Sequence, residues 1–478
     1  MNHFKRSIKT VLLIIENIFY RTTMILNTFV KINVVMKKVF FCLLLGCFAI
    51  GFSQKALISS GPMVGYCEFK EAAIWLQTNK NESVKVEYFA LDNPKDIFSS
   101  ETYTSSKDNG FTYHIILDKL QPGKKYNYSV FINNKKLVLP YETSFSSKKI
   151  WQYRTDAPDF KVAFGSCTYI NETEVDRPGK PYGSGYNIFE SINAKNPDIM
   201  LWGGDNIYLR EVDFDSKTGI YHRYKHSRAV KEFQPLLAKT QNFALWDDHD
   251  FGPNDSDRSF YNKYITQQAF KDFWANKSYG SNSNQKEGTY STFNWNDAQF
   301  FLLDDRFFRS PNDRITGDKT MLGKEQLEWL IDGLSASKAN FKIIVIGGQV
   351  LNSVPDYENY GTYPEEKARI FKELIDNKIK GVLFLTGDRH FAELSMLKRE
   401  NTYPIYDWTV SPFTSGVGSQ SAKTEANEFK VEGSVFFEHN FGTLEFSGNK
   451  ENRQLKLVLF DANGKELWNR VILKKELE

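Results

Sequence analysis

Six short apolar runs of this chain each stop on side chains able to bind a cation or a proton. They are FKVAFGSC (160–167), PDIMLWGGDNIY (197–208), NFALWDDHD (242–250), AQFFLLDDR (298–306), FKIIVIGGQ (341–349) and GVLFLTGDRH (381–390). Runs of this length without alternation are strands buried on both faces, as in parallel sheets covered by helices. Between them lie stretches with apolar residues at helical spacing: HRYKHSRAVKEFQPLLAK, NKYITQQAFKDFWAN, GKEQLEWLIDGLSAS and PEEKARIFKELIDNK. Strands alternating with helices predict an α/β domain. In open α/β sheets the carboxyl ends of the strands converge on one crevice. Carboxylates gathered there repel one another, and bound cations relieve that repulsion most simply.

The donors constrain the ions. A thiolate at Cys167, a phenolate at Tyr208 and the carboxylate of Asp205 suit a trivalent or strongly Lewis-acidic ion. Carboxylate, amide and water oxygens suit a hard divalent one. An aspartate such as Asp205 can bridge two ions roughly 3.5–4 Å apart, the spacing of two-metal hydrolytic sites.

Upstream the pattern changes. Residues 57–148 contain AAIWLQT, SVKVEYFA, TYHIILDKL, KYNYSVFIN and YETSFSS, with alternating apolar positions and turn residues between. This predicts a small all-β sandwich over 55–148, a linker over 149–158, and the α/β domain over 159–478. Within the sandwich, LDKLQPGKKYNYSV resembles the fibronectin type III family, in which a tyrosine pins a strand corner; Tyr126 or Tyr128 takes that part here.

Composition matters chiefly at the amino terminus. The formal charge is +3, but residues 1–54 hold seven Lys/Arg and one acid, leaving 54 basic and 57 acidic residues, a net of −3, beyond them. A near-neutral body gives no basis for specific nucleic-acid binding. MKKVFFCLLLGCFAIGFSQ (36–54) has the basic start, short apolar core and small-residue end of a secretory signal peptide. Residues 1–54 are therefore read as a targeting region, with translation starting at Met1 or Met36. The expected location is periplasmic or extracellular, with a lipid anchor at Cys47 the less favoured alternative. No later run is apolar enough to span a bilayer. Removal of the signal leaves Cys67 and Cys167, too few for a disulfide framework.

Taken in order, FGSC, GGDNIY, WDDHD with Asn254 after it, LDDRFFR and GDRH resemble the PhoD-like alkaline phosphatases and phosphodiesterases, a branch of the metallophosphoesterases. The opening GPMVGYCEFKEAAIWLQT is similar to that family's amino-terminal module. The resemblance implies a dinuclear hydrolase of small phosphate esters, in which activated hydroxide attacks phosphorus in line. It implies Fe3+ and Ca2+, with Zn2+ or Mn2+ as substitutes, held by Cys167, Asp205, Tyr208, Asp248, Asn254, Asp388 and His390. It implies that His249 contacts the substrate phosphate and can protonate the leaving oxygen, and Arg306 is the candidate for a charge-assisted contact to phosphate oxygens. Two alternatives stand beside this reading. One is a phosphodiesterase or phospholipase-like enzyme acting on glycerophospholipid or nucleic-acid-derived diesters; the other is a surface binding protein without catalysis.

Plainer roles compete for several residues. Asp247 and Asp250 serve equally well as orienting or helix-capping carboxylates. His222 and His226, one helical turn apart, lie in a basic helical stretch without the glutamate of a zinc protease motif. His114 and His439 read as structural. No arginine follows Cys167 at the offset of a cysteine phosphatase loop, and neither a nucleotide phosphate loop nor a serine hydrolase elbow occurs.

Overall fold

The computed structural model describes residues 57–280, 287–356, 358–418 and 423–478. The predicted targeting region 1–54 and most of the polar stretch near residue 284 lie outside the described residues.

Eight strands come first: β1 (Ile58–Cys67), β2 (Ala72–Thr78), β3 (Val84–Ala90), β4 (Phe98–Ser99), β5 (Thr112–Leu117), β6 (Lys125–Ile132), β7 (Lys135–Lys136) and β8 (Ser144–Ser146). They form two antiparallel sheets, β1-β2-β5 and β4-β3-β6-β7, with β8 also on β6. β6 alternates buried and half-buried positions along its length, the period-two signature of a strand with one face in a core. The hydroxyl of Tyr126 accepts the backbone N–H of Gln121 at 2.7 Å, whereas that of Tyr128 donates to the Ala238 carbonyl at 2.8 Å. Tyr126 thus pins its own corner, and Tyr128 ties this module to the α/β part. Trp75 Nε1 adds a bond to the Asp272 carbonyl at 2.8 Å.

The α/β part opens with β9 (Phe160–Gly165), α1 (Asn187–Ala194), β10 (Ile199–Gly203), α2 (Lys217–Arg228), α3 (Gln234–Leu237), β11 (Gln241–Leu245), α4 (Asp248–Phe251) and α5 (Lys263–Phe273). It continues through β12 (Ser291–Trp295), β13 (Ala298–Leu302), α6 (Gly323–Ala336), β14 (Phe341–Val345), α7 (Pro364–Asp376), β15 (Val382–Thr386), β16 (Glu393–Leu397) and β17 (Ile405–Thr409). β18 (Asn440–Ser447), β19 (Gln454–Asp461) and β20 (Glu466–Leu473) complete it. Two six-stranded sheets result, ordered β11-β10-β9-β18-β19-β20 and β12-β13-β14-β15-β17-β16. β9, β10 and β11 run parallel in the first; β13, β14, β15 and β17 run parallel in the second.

One continuous core joins the sheets face to face, with Phe160, Val162, Leu201 and Phe243 from the first against Phe300, Leu302 and Ile344 from the second. Phe243 and Phe293 stack at 3.7 Å across it. Each such side chain contributes about 1.5–3 kcal/mol by leaving water. α1, α2 and α5 cover the outer face of the first sheet, and α6 and α7 cover that of the second. All five residues of β10, β11, β14 and β15 are buried, hence their unbroken apolar runs.

The helical stretch expected over 222–239 is divided: α2 ends at Arg228 and Pro235 opens the short α3. Proline has no N–H to offer an interior helical bond and fits a first turn.

Candidate metal centre

The carboxyl ends of both sets of parallel strands meet at one place. β9 delivers Cys167, β10 Asp205 and Tyr208, β11 Asp247, Asp248 and His249, β13 Asp305 and Arg306, and β15 Asp388 and His390. Ligand atoms of Cys167, Asp205 and His390 lie within 4.8 Å of one another, as do those of Asp205, Asp248 and His249, and those of Asp247, Asp248 and Asp388. Asp205 and Asp248 each belong to two of these groups, so the donors form a chain. Cys167, Asp205, Asp388 and His390 all have left-handed backbone conformations, with φ of 63°, 51°, 63° and 59°. Side chains other than glycine hold that conformation at a cost of about 1–3 kcal/mol each. Such cost gathered at four neighbouring residues marks a functional turn.

Around Cys167 the sulfur lies 3.6 Å from Asp205 Oδ2 and 3.2 Å from the Ser411 hydroxyl. His390 Nε2 faces Tyr208 Oη at 3.3 Å and Ser415 Oγ at 3.4 Å, and Nδ1 faces Tyr182 Oη at 3.3 Å. His249 lies against Tyr208, ring centroids 4.1 Å apart, and its backbone N–H donates to Asp205 Oδ1 at 3.2 Å.

Arg306 is sealed from solvent. Its Nε and Nη2 reach Asp247 Oδ1 at 2.6 and 2.5 Å, and Nη1 reaches both Glu358 oxygens at 3.0 and 3.1 Å. The sequence reading put this guanidinium on substrate phosphate; the structure sets it beneath the carboxylates, engaged by two of them. Asn254, read as a metal ligand, stands exposed on the turn after α4, while the carboxylate of the next residue, Asp255, groups with Asp248 and Glu358. Asp250 caps α4 by accepting the N–H of Asp247 at 3.1 Å and that of Asn206 at 3.0 Å. His222 bonds Glu172 at 2.8 Å, and His226 lies 3.0 Å from the Asn171 carbonyl. His114 and His439 lie against the carbonyls of Trp274 and Ser415.

Asp255 and Glu358 were missed in sequence. Asp255 carried a weak signal, one position beyond a named candidate; Glu358 carried none.

The protonation equilibria describe a site built for positive charge. Burial, then Asp248 and Asp247, push Asp205 well above the carboxylate range. Burial, with Asp248 and Glu358, lifts Asp388 to about 7. Burial and Asp205 raise the Cys167 thiol and the Tyr208 phenol. Burial and His249 lower His390 to about 4, which leaves its imidazole neutral as a ligand must be. Burial also opposes the charge of Asp248, yet His249, Arg306 and the Asp255 amide carry it below the ordinary carboxylate range. Asp247 Oδ2 and Asp248 Oδ1 are buried without a hydrogen-bond partner. Buried acceptors left unpaired are costly, and a cation satisfies both. The donor set therefore fits a metal pair.

Helix-flanked paired sheets with such a donor chain at their carboxyl edge define a metallophosphoesterase-like protein. The profile of the PhoD-like phosphatase family matches residues 163–457, more than half of the chain, and the chain belongs to that family. Residues 55–150 match a second family, described as a domain of unknown function. Alkaline phosphatase D of Bacillus subtilis (strain 168) is 21% identical over 371 residues, covering 66% of this chain and 59% of the relative; less than two thirds of that relative's length is therefore spanned. A solved structure of PhoD superposes with a TM-score of 0.70 at 15% identity, over 87% of this chain and 92% of its own. A purple acid phosphatase from yellow lupin (Lupinus luteus) seeds superposes with a TM-score of 0.60 at 13% identity, over 86% and 74%. These two likenesses concern the fold.

Proposed function

We propose that the chain is an exported hydrolase of phosphate esters that works with two cations at the carboxyl edge of its paired sheets. One observation carries the reading: the sulfur, imidazole and carboxylate group of Cys167, Asp205 and His390 is linked through shared acids to the all-carboxylate group of Asp247, Asp248 and Asp388. A mixed sulfur, imidazole and carboxylate set, with the Tyr208 phenolate added, suits a strongly Lewis-acidic Fe3+-type ion, and the all-carboxylate set beside it suits a Ca2+-type ion. When bound, such a pair supplies neutralisation of the phosphoryl oxygens and acidification of water.

The remaining work belongs to the chain. His249 keeps about a fifth of its side chain exposed (21%) beside Asp248, and so stands where its ring N–H can donate a hydrogen bond to the departing ester oxygen, which takes its proton from solvent, in an in-line displacement. Arg306 holds Asp247 and Glu358 in place. Asn254, on the exposed turn that also carries Asp255, is retained as a proposed ligand. The amino-terminal sheets, cornered by Tyr126, are read as a fibronectin type III-like module over 55–148 that braces the α/β domain of 159–478. Among the described residues no helix is long and apolar enough to cross a membrane.

The test is turnover of nitrophenyl phosphate and bis-nitrophenyl phosphate, with elemental analysis and a visible spectrum of the same preparation. Hydrolysis abolished by chelation and restored by iron and calcium is expected, with colour from thiolate and phenolate on ferric iron. Absence of turnover with every cation pair would reject the proposal.

A further inference from the structure

The two walls of the crevice differ in chemistry. On one side Asp255 and Glu358 approach Asp248 to make an acidic wall. On the other stands Tyr182, 47% exposed, on a loop fixed at its base. Gly183 donates its N–H to Asn171 Oδ1 at 2.9 Å, the Asn171 amide donates to the Gly183 carbonyl at 3.0 Å, and Ser184 donates to the Thr414 carbonyl at 2.7 Å. The Tyr182 ring meets Tyr169 edge-on at 4.8 Å, and Tyr169 lies over the guanidinium of Arg210 at 3.9 Å. The backbone of Gly416 lies so close to the ring that a Cβ there would come within 2.6 Å of it. The ring is thus held from behind and along one edge, with its remaining surface open to solvent, 6.3 Å between centroids from His390.

We propose that Tyr182 is the platform for the leaving group, and that the site prefers phosphate esters of planar aromatic alcohols, the phenols, over aliphatic ones. This rests on the phosphate ester reading and deepens it. A phosphoryl group among the shared acids directs its ester oxygen toward the open mouth. There the exposed Asp255 disfavours anionic alcohols and the tyrosine offers an aromatic face. A preformed ring with few rotamers to lose gains from offset stacking. The Tyr182 hydroxyl, 3.3 Å from His390 Nδ1, fixes the ring over the site and orients that imidazole, since a histidine bound through one nitrogen is set by the partner of the other.

The full chain, loaded with iron and calcium, is assayed with phenyl phosphate and with an alkyl phosphate whose alcohol is of comparable acidity. The wild type is expected to favour the aryl ester in kcat/KM. Tyr182→Leu, which keeps bulk without a π face, is expected to lower the aryl-to-alkyl ratio about tenfold, the size of one stacking contact, chiefly through KM. Tyr182→Phe is expected to keep the ratio. Inhibition of the wild type by phenylphosphonate against methylphosphonate gives the same comparison without a variant. An unchanged ratio in Tyr182→Leu, an equal fall for both esters, or equal inhibition by the two phosphonates overturns the platform while leaving the hydrolase standing. Failure of the wild type to turn over either ester overturns the underlying function, and the platform with it.

Discussion

Nη2 of Arg306 lies 2.5 Å from Oδ1 of Asp247 at a depth no solvent reaches. The pair joins the two central sheets, since Asp247 follows β11 and Arg306 follows β13. Glu358 closes the arrangement from the far side of the guanidinium at 3.0 Å. Removing the guanidinium leaves the buried Asp247 carboxylate facing other acids without its cation, and leaves Glu358 with Arg309 alone, 3.2 Å away. Arg306→Ala is therefore expected to destabilise the fold by about 3–5 kcal/mol, the cost of breaking a buried ion pair from one side. Arg306→Lys, which keeps the charge but cannot fork between two acids, should lose less. Denaturant unfolding of both variants beside the wild type measures this; equal stability for all three would deny the arginine its structural part.

Cation removal should reverse the pH dependence of stability. Asp388, Asp250 and Asp255 are each raised to about 7 by burial first of all, Asp388 and Asp255 with neighbouring acids adding to it. A carboxyl raised in the folded state contributes stability that is whole below its unfolded value and is lost as pH climbs through the folded one. The metal-free protein should accordingly weaken between about pH 4 and about pH 7. The lowered groups act in the opposite sense, Asp248 and Glu358 below the ordinary carboxylate range and His390, His249 and His114 as pH falls below about 6.5, but the raised carboxyls are more strongly shifted and set the net sign. Bound cations favour the ionised carboxylates and remove the decline. Urea unfolding of chelated and reloaded protein at about pH 5 and about pH 8 should show a midpoint that falls with pH only in the chelated sample. Parallel behaviour of the two samples would mean that the acids do not face a cation.

The contrast between Glu358 and Asp205 explains what the sequence discloses. Asp205 ends a strand buried on both faces, so a continuous apolar run announces it, and the convergence of parallel strand ends tells where it points. Glu358 sits in a loop between β14 and α7 with no period to read, and Arg306, arriving from another strand, draws it into the site. Asn254 and Asp255 are adjacent and both exposed, and the course of one turn decides that the Asp255 carboxylate lies near Asp248 and Glu358; residue type alone does not. For Arg306 the charge was legible but the partner was not, because packing depth places the guanidinium under the carboxylates rather than above them. The alternation of β6 and the glycine and proline between strands made the amino-terminal sheets readable, while their bonding to Ala238 and Asp272 left no local trace.

That seam carries its own titration. His114 Nε2 lies 3.0 Å from the Trp274 carbonyl, which requires a proton on Nε2 and leaves Nδ1 as the basic nitrogen. Burial lowers its pKa, against the opposing pull of that carbonyl and of Asp272. A base depressed in the folded state contributes stability present above its unfolded value and lost as pH falls toward the folded one. The seam should therefore weaken below about pH 6.5. His114→Gln, able to donate to the same carbonyl without titrating, should show a shallower acid slope in thermal unfolding between about pH 5 and about pH 7. Identical slopes would remove the histidine from the seam's pH response.

Gly347, just past the end of β14 on the second sheet, packs against the Asp247 carboxylate. A Cβ built there would fall well inside contact distance of both carboxylate oxygens. Elsewhere a flexible acid would swing aside, but Asp247 is held by Arg306 and by its own role as cap of α4, where Oδ1 accepts the Asp248 N–H at 3.0 Å. The strain of Gly347→Ala must be met by moving the carboxylate off the arginine or by parting β11 from β14. Overpacking of this kind costs about 1–3 kcal/mol. The variant should fold with a lowered unfolding midpoint and bind the hard divalent cation more weakly than the wild type, because Asp247, Asp248 and Asp388 no longer meet at one point. Calcium titration followed by calorimetry, with elemental analysis for iron on the same sample, separates the two ions. Iron retained with calcium lost is expected, since the atoms nearest the added methyl all belong to Asp247 and none to Cys167, Asp205 or His390; loss of both together would show that the two donor groups form a single unit.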